Sequence, residues 1–216
     1  MAVPRFSKGG VTFSLEFGPS AWAIDTVDLT NQLAAQVGAV PGAFLADEWA
    51  RGLKTSYCLT LRFGYNILGF ATIEFAVTGS GWNLGDSFRG GGGYAGGVVR
   101  LHPLEILWRV LQKDPRPFGL DFSTYWGWGY GIAGFGENAS EGLQALGMDG
   151  FTFQWGFDVE YYFTKAIGVS LGLRGGFPFW NKLYIDYERK IGFDVPNGLH
   201  GAMWNPAIGI IMRSGD

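Results

Sequence analysis

The chain has a single cysteine, Cys58. That excludes an internal disulfide and a cysteine-based metal site. Histidine is nearly as scarce, with only His102 and His200. Charge is thin: Asp, Glu, Lys and Arg make up 16% of the 216 residues, against about 25% in ordinary soluble domains. The net charge is −3, which argues against a nucleic-acid binder, since those usually present a basic face. No apolar run reaches the roughly 18 residues of a transmembrane helix. The opening Met1-Ala2-Val3-Pro4-Arg5 has no apolar signal-peptide core. The chain is therefore either never exported or already free of its leader, and the strands decide between these options.

Two residue classes are abundant. Glycine is one residue in six, 36 of 216, and aromatics are 17%, with 18 Phe, 9 Trp and 9 Tyr. So many aromatics exclude intrinsic disorder. Glycines without a three-residue period exclude collagen.

The dominant pattern is two-residue alternation, the mark of a strand with two unlike faces. It recurs eight times, and strands are expected at about 11–24, 55–65, 67–78, 94–102, 118–132, 151–163, 167–178 and 199–212. The clearest run sets Phe151, Phe153, Trp155, Phe157, Val159, Tyr161 and Phe163 against Thr152, Gln154, Gly156, Asp158 and Glu160. What occupies each face separates one kind of sheet from another. One face carries large apolar residues. The other carries Gly, Ser, Thr and isolated charges, with almost no lysine. A soluble sandwich would show water a Lys- and Glu-rich face. A face of small residues suits the inside of a narrow barrel, and the large apolar face then calls for lipid.

The small face holds the acids Glu16, Glu74, Asp121, Asp158 and Glu160 and the bases Arg62, Arg100 and Arg174. If eight strands close a barrel, these charges meet inside it, where they must be paired. Cys58 shares that face as an inert small residue.

The connections carry a second signal. Short breaks at Gly64 to Asn66 and Thr164 to Ala166 are of hairpin length. Longer connections at about 25–54, 79–93, 133–150 and 178–198 all fall on the opposite side in an up-and-down meander. Long loops outside and short periplasmic turns inside is the outer-membrane arrangement. One inner connection, 102–117, reads as a short amphipathic helix ended by Pro115. Its Leu104, Ile106, Leu107, Trp108 and Leu111 form a candidate partner-docking or membrane-surface face. The first outer connection predicts helical segments at 31–37 and 43–51, the first capped by Asp28 or Thr30.

In these features the chain resembles the small eight-stranded outer-membrane β-barrels, such as the OmpA transmembrane domain, OmpX and OmpW. The resemblance runs from about Val11 to Met212, and its best local match is the hairpin from Gly156 to Phe163 and from Gly168 to Arg174. It implies an all-β, eight-stranded antiparallel up-and-down transmembrane barrel forming one domain over 1–216, in the outer membrane of a Gram-negative bacterium. It also implies a salt-bridged interior rather than a wide pore. The chain departs from such barrels at its end, Ile210 to Asp216, which lacks the usual terminal aromatic. A degenerate insertion signal or a longer natural chain would explain that.

Aromatics near strand ends, namely Trp22, Tyr57, Tyr65, Tyr94, Trp126, Tyr130, Tyr161 and Trp180, are expected in the membrane-interface girdles. The string Trp126 to Gly134 is no phosphate loop, because its glycines alternate with aromatics within a strand. Phe88 to Gly93 reads as a flexible outer loop. No nucleophile–base constellation is recognisable, and both histidines are placed at the rims, at headgroup level. The outer-connection acids, Asp86, Glu137 and Asp149 among them, show no metal-ligand spacing. The sequence thus predicts a non-enzymatic envelope barrel with no cofactor, metal or nucleic acid. Its expected partners are outer-membrane lipid and lipopolysaccharide, and envelope proteins through 25–54 or 102–117. The alternatives are a small channel for ions or hydrophobic solutes, and a lipid A-modifying enzyme.

Overall fold

The computed structural model describes residues 9–24, 31, 34–35, 38, 54–83, 88–111, 119–137, 145–185 and 191–214. Eight strands account for most of them: β1 Gly9–Ile24, β2 Lys54–Ile67, β3 Ala71–Asn83, β4 Phe88–Leu101, β5 Leu120–Glu137, β6 Ala145–Tyr162, β7 Ile167–Ile185 and β8 Ile191–Arg213. Each pairs antiparallel with the next, and β8 returns to β1, closing the barrel. One helix, α1 Pro103–Val110, lies between β4 and β5.

Alternation sets the two surfaces. In β1, Val11, Phe13, Leu15 and Phe17 are exposed, while Thr12, Ser14 and Glu16 are buried. The same parity holds in β6, where Phe151, Phe157, Val159 and Tyr161 are exposed and Thr152, Gln154, Asp158 and Glu160 buried. The molecule therefore turns its large apolar side chains outward and its polar ones inward. That arrangement is unfavourable in water and favourable in hydrocarbon. An eight-stranded barrel has room only for side chains in its lumen. Glycine is needed where strands approach closely: a Cβ on Gly18 would collide with the Pro206 carbonyl of the neighbouring β8.

The strands run further than the alternation indicated. Segments 79–93, 133–150 and 178–198, expected as outer connections, are largely strand, and β8 alone has 23 residues. Crossing a bilayer takes only about 9–11 residues per strand, so the sheet continues well past the apolar band. Beyond Phe179 the outward positions turn polar, with Asn181, Lys182 and Asp194 exposed. These parts are hard to read in the sequence because glycine shows no face. Phe88–Gly93, expected as a flexible loop, instead pairs with β3 on one side and β5 on the other.

The β2–β3 turn is also displaced from its expected place. The strands continue to Ile67, and the chain reverses over Leu68 and Gly69, both at positive φ (53° and 83°). Phe70 N donates to Ile67 O at 3.3 Å across that reversal, the arrangement of a two-residue turn matched to strand twist. Asn66 Oδ1 accepts from Gly69 N at 2.7 Å and holds it. The β6–β7 turn falls where expected, with Thr164 Oγ1 accepting from Ala166 N and Ile167 N. In the first outer connection Asn31, Ala34 and Ala35 are helical. The rest of the first expected helix, and all of 43–51, lie outside the described residues.

Candidate functional site: the barrel interior

Every strand contributes a charge to the lumen: Glu16 from β1, Arg62 from β2, Glu74 from β3, Arg100 from β4, Asp121 from β5, Asp158 and Glu160 from β6, Arg174 from β7 and Arg213 from β8, all buried. The register of β5 on β6 sets Asp121 opposite Glu160 and Ser123 opposite Asp158. Three carboxylates are thereby crowded on one wall, and the cations come from elsewhere.

Arg62 pairs with Glu16 and reaches Asp158 at 3.0 Å and Glu74 at 3.9 Å. Its Nε donates to Ser14 Oγ at 3.1 Å. Arg100 meets Glu160 at 2.6 Å, Asp158 at 3.1 Å and Glu74 at 3.2 Å. Arg174 pairs with Glu16 and approaches Asp158 at 3.6 Å. Tyr125 lies between two guanidinium groups, with Arg62 5.2 Å and Arg100 5.6 Å from its ring centre, within the range of cation–π attraction.

Toward the short turns a second group joins the first. Arg213 meets Glu160 at 2.9 Å and Asp121 at 3.9 Å, and its guanidinium stacks 4.6 Å over the Tyr162 ring. The Tyr162 hydroxyl donates to Glu160 Oε2 at 2.7 Å. His102 is fully buried, with Nδ1 2.9 Å from Asp121 Oδ2 and Nε2 3.0 Å from Thr72 Oγ1. Asn66 Nδ2 donates to the same Thr72 oxygen at 2.9 Å.

Hydroxyl, imidazole and carboxylate in that order are the parts of a nucleophilic triad. Here Thr72, His102 and Asp121 are all buried inside the barrel, at 0–1% exposure. The three form a hydrogen-bond chain that links β3 to β5. His102, Asp121 and Glu160 also place ligand atoms within 4.8 Å of one another, close enough for a metal ion. Arg213 ion-pairs with both of those carboxylates and already supplies positive charge there.

Several sequence expectations are corrected at this point. Trp22, Tyr94 and Trp180, assigned to the interface girdles, point into the barrel at 2%, 5% and 1% exposure. Their even positions share the parity of Glu16, Arg100 and Arg174, and nearness to a strand end does not override parity. Tyr57, Tyr65, Trp126, Tyr130 and Tyr161 face outward. His102, expected at the rim, is inside because it continues the inward parity of Arg100. Sequence reasoning missed Arg213, Tyr125 and Tyr162, although the same parity places each inward. Cys58 is buried beside Thr60. Asp149, assigned to an outer connection, lies in β6 and accepts from the Tyr184 hydroxyl at 2.7 Å. Glu137 ends β5. Asp86 and the side chains of Trp108 and His200 lie outside the described set.

Towards the end of the long connections large apolar side chains join the inward face, with Trp22, Met148, Trp180, Leu183 and Met203 buried there.

No protein-family model matches the sequence, and no curated protein does. Solved structures do match in shape. Neisserial surface protein A aligns with a TM-score of 0.56 at 8% identity, over 95% of this chain and 97% of its own. A major outer membrane protein from Thermus thermophilus aligns at 0.54 and 11% identity, over 94% and 99%. The outer membrane protein OprG from Pseudomonas aeruginosa aligns at 0.51 and 12% identity, over 98% and 99%. Identities this low speak for fold alone, and the closed register speaks for the same one: this chain has the fold of the small eight-stranded outer-membrane β-barrels.

Proposed function

We propose that the protein is a non-enzymatic component of a Gram-negative outer membrane, a closed barrel that acts through its surface and connections rather than through its lumen. In this reading the short turns and termini face the periplasm. The observation that carries it is the lumen itself. A charge from every strand is held in a buried network, and large apolar side chains, Trp22, Met148, Trp180, Leu183 and Met203, are buried beyond it. A solute path would have to break several ion pairs at once, each expensive to open in a low-dielectric interior. Outer-membrane lipid and lipopolysaccharide are the partners of the apolar band. Envelope proteins would engage the outer connections, 25–54 first among them.

Planar-bilayer recording tests the channel alternative. The reading predicts no steps above the bare-membrane baseline, and sustained unitary steps at neutral pH would overturn it. The lipid A-modifying alternative has one structural observation in its favour, the Thr72–His102–Asp121 chain. Expression of the wild type and of His102→Ala in a host with defined lipid A should leave its mass spectrum unchanged in both. A mass change lost in His102→Ala would instead assign an enzyme.

A further inference from the structure

Helix α1 turns the wrong face outward for an element bathed in water. An amphipathic helix in water packs its apolar stripe on the protein and shows its polar face. Here Glu105 is buried, directly beyond buried His102, and α1 packs on β5. Among its described side chains the exposed ones are Ile106, Leu107 and Val110, the last 73% exposed, followed by Leu111. Leu111 N donates to Leu107 O at 2.9 Å, so the apolar groups belong to one continuous turn.

The neighbouring β2–β3 turn repeats the anomaly. Leu68 is 53% exposed and sits at φ 53°. That backbone region costs an L-residue about 1–2 kcal/mol, and turns there ordinarily take Asn, Asp or Gly. Helix and turn are tied together, since His102 N donates to Phe70 O at 2.9 Å. The turn follows Ile67, and Ile73 is the first large outward apolar residue of β3 after it. The result is an apolar shelf that continues the band around the end of the barrel.

We propose that this shelf, α1 with Leu68, beds in the headgroup–acyl boundary of the periplasmic leaflet and fixes the depth of the barrel on its β2–β4 side. The occupant is the membrane, because the shelf is continuous with the band that lipid covers. The proposal rests on the outer-membrane reading above. The sequence adds Arg109, Lys113 and Arg116 against Asp114 in the same connection, an excess of the charge sign that anionic headgroups attract. Interfacial helices with this division of faces bury their apolar side about 5–10 Å into that boundary.

Site-directed spin labelling separates the outcomes. In a Cys58→Ala background, single variants Leu107→Cys, Val110→Cys and Leu68→Cys would be labelled and folded into phosphatidylethanolamine–phosphatidylglycerol vesicles. Leu15→Cys marks the middle of the band, and Lys165→Cys marks the exposed β6–β7 turn. Collision with oxygen, which concentrates in lipid, is compared with collision with a water-soluble nickel chelate. The shelf positions should favour oxygen several-fold more than position 165 does. If 107, 110 and 68 behave like 165 while 15 stays in lipid, the shelf hangs in water and the proposal fails although the barrel reading stands. If 15 also favours the chelate, the membrane reading itself has failed. Heat-dependent gel mobility of each variant confirms folding before measurement, and three shelf positions guard against the loss of any one.

Discussion

Arg62 reaches acids on three other strands, Glu16 on β1, Glu74 on β3 and Asp158 on β6. Removing one partner from such a buried network leaves uncompensated charge, at a cost of about 3–5 kcal/mol. Arg62→Met should lower stability by that amount in urea unfolding from lipid vesicles. Adding Asp158→Asn to the same chain should return part of the loss, because one orphaned carboxylate becomes neutral. An unchanged midpoint in Arg62→Met would mean that the pairs do not form as described. His102 tests the smaller, hydrogen-bonded part of the interior. His102→Ala removes one hydrogen bond each from Asp121 Oδ2 and Thr72 Oγ1, which keep Arg213 and Asn66 as neighbours, and a loss of about 1–3 kcal/mol is expected for the two buried hydrogen bonds together.

At the level of elements, the strand connections are set by a few backbone positions. Gly119 enters β5 at φ 60°, and its carbonyl accepts from Tyr162 N at 2.9 Å. A Cβ there would sit 2.5 Å from the Tyr162 carbonyl oxygen. Gly119→Ala therefore combines an unfavourable dihedral with a collision against β6, and should destabilise the barrel by more than about 1 kcal/mol. Equal unfolding midpoints for the variant and wild type would contradict the described turn. Helix α1 shows the opposite kind of control. Its pattern was legible from Leu104 to Leu111, but which face it turns outward was not. That depends on where His102 anchors the chain, and His102 is drawn inward by Asp121 and Thr72.

For the molecule as a whole, closure is the decisive property. Every strand has two hydrogen-bonded neighbours, so no edge is left where unfolding begins easily or another chain adds. A closed barrel with an ion-paired lumen should resist SDS until heated. Detergent-folded protein should run at different mobilities boiled and unboiled. A single mobility, with good solubility in detergent-free buffer, would contradict the membrane reading and favour a soluble barrel.

The two-residue alternation carried the fold class, the number of strands and the inward parity of the charges from Glu16 to Arg174. Parity is local, because successive side chains of a strand must point to opposite faces. It reaches beyond the charges of the strand centres: Trp22, Tyr94, Trp180, His102 and Arg213 all obey it. The ends of the strands were not legible in the glycine-rich stretches, where neither face has a side chain to reveal the period. The pairings across the lumen belong to tertiary structure alone. Arg62 finds Asp158 on the far wall, 96 positions away in the chain, only once eight strands close with their particular stagger. That stagger includes the register shifts at Asp149/Gly150 and Trp180/Lys182. No local pattern encodes such a distance, because it is set by the diameter and shear of the finished barrel.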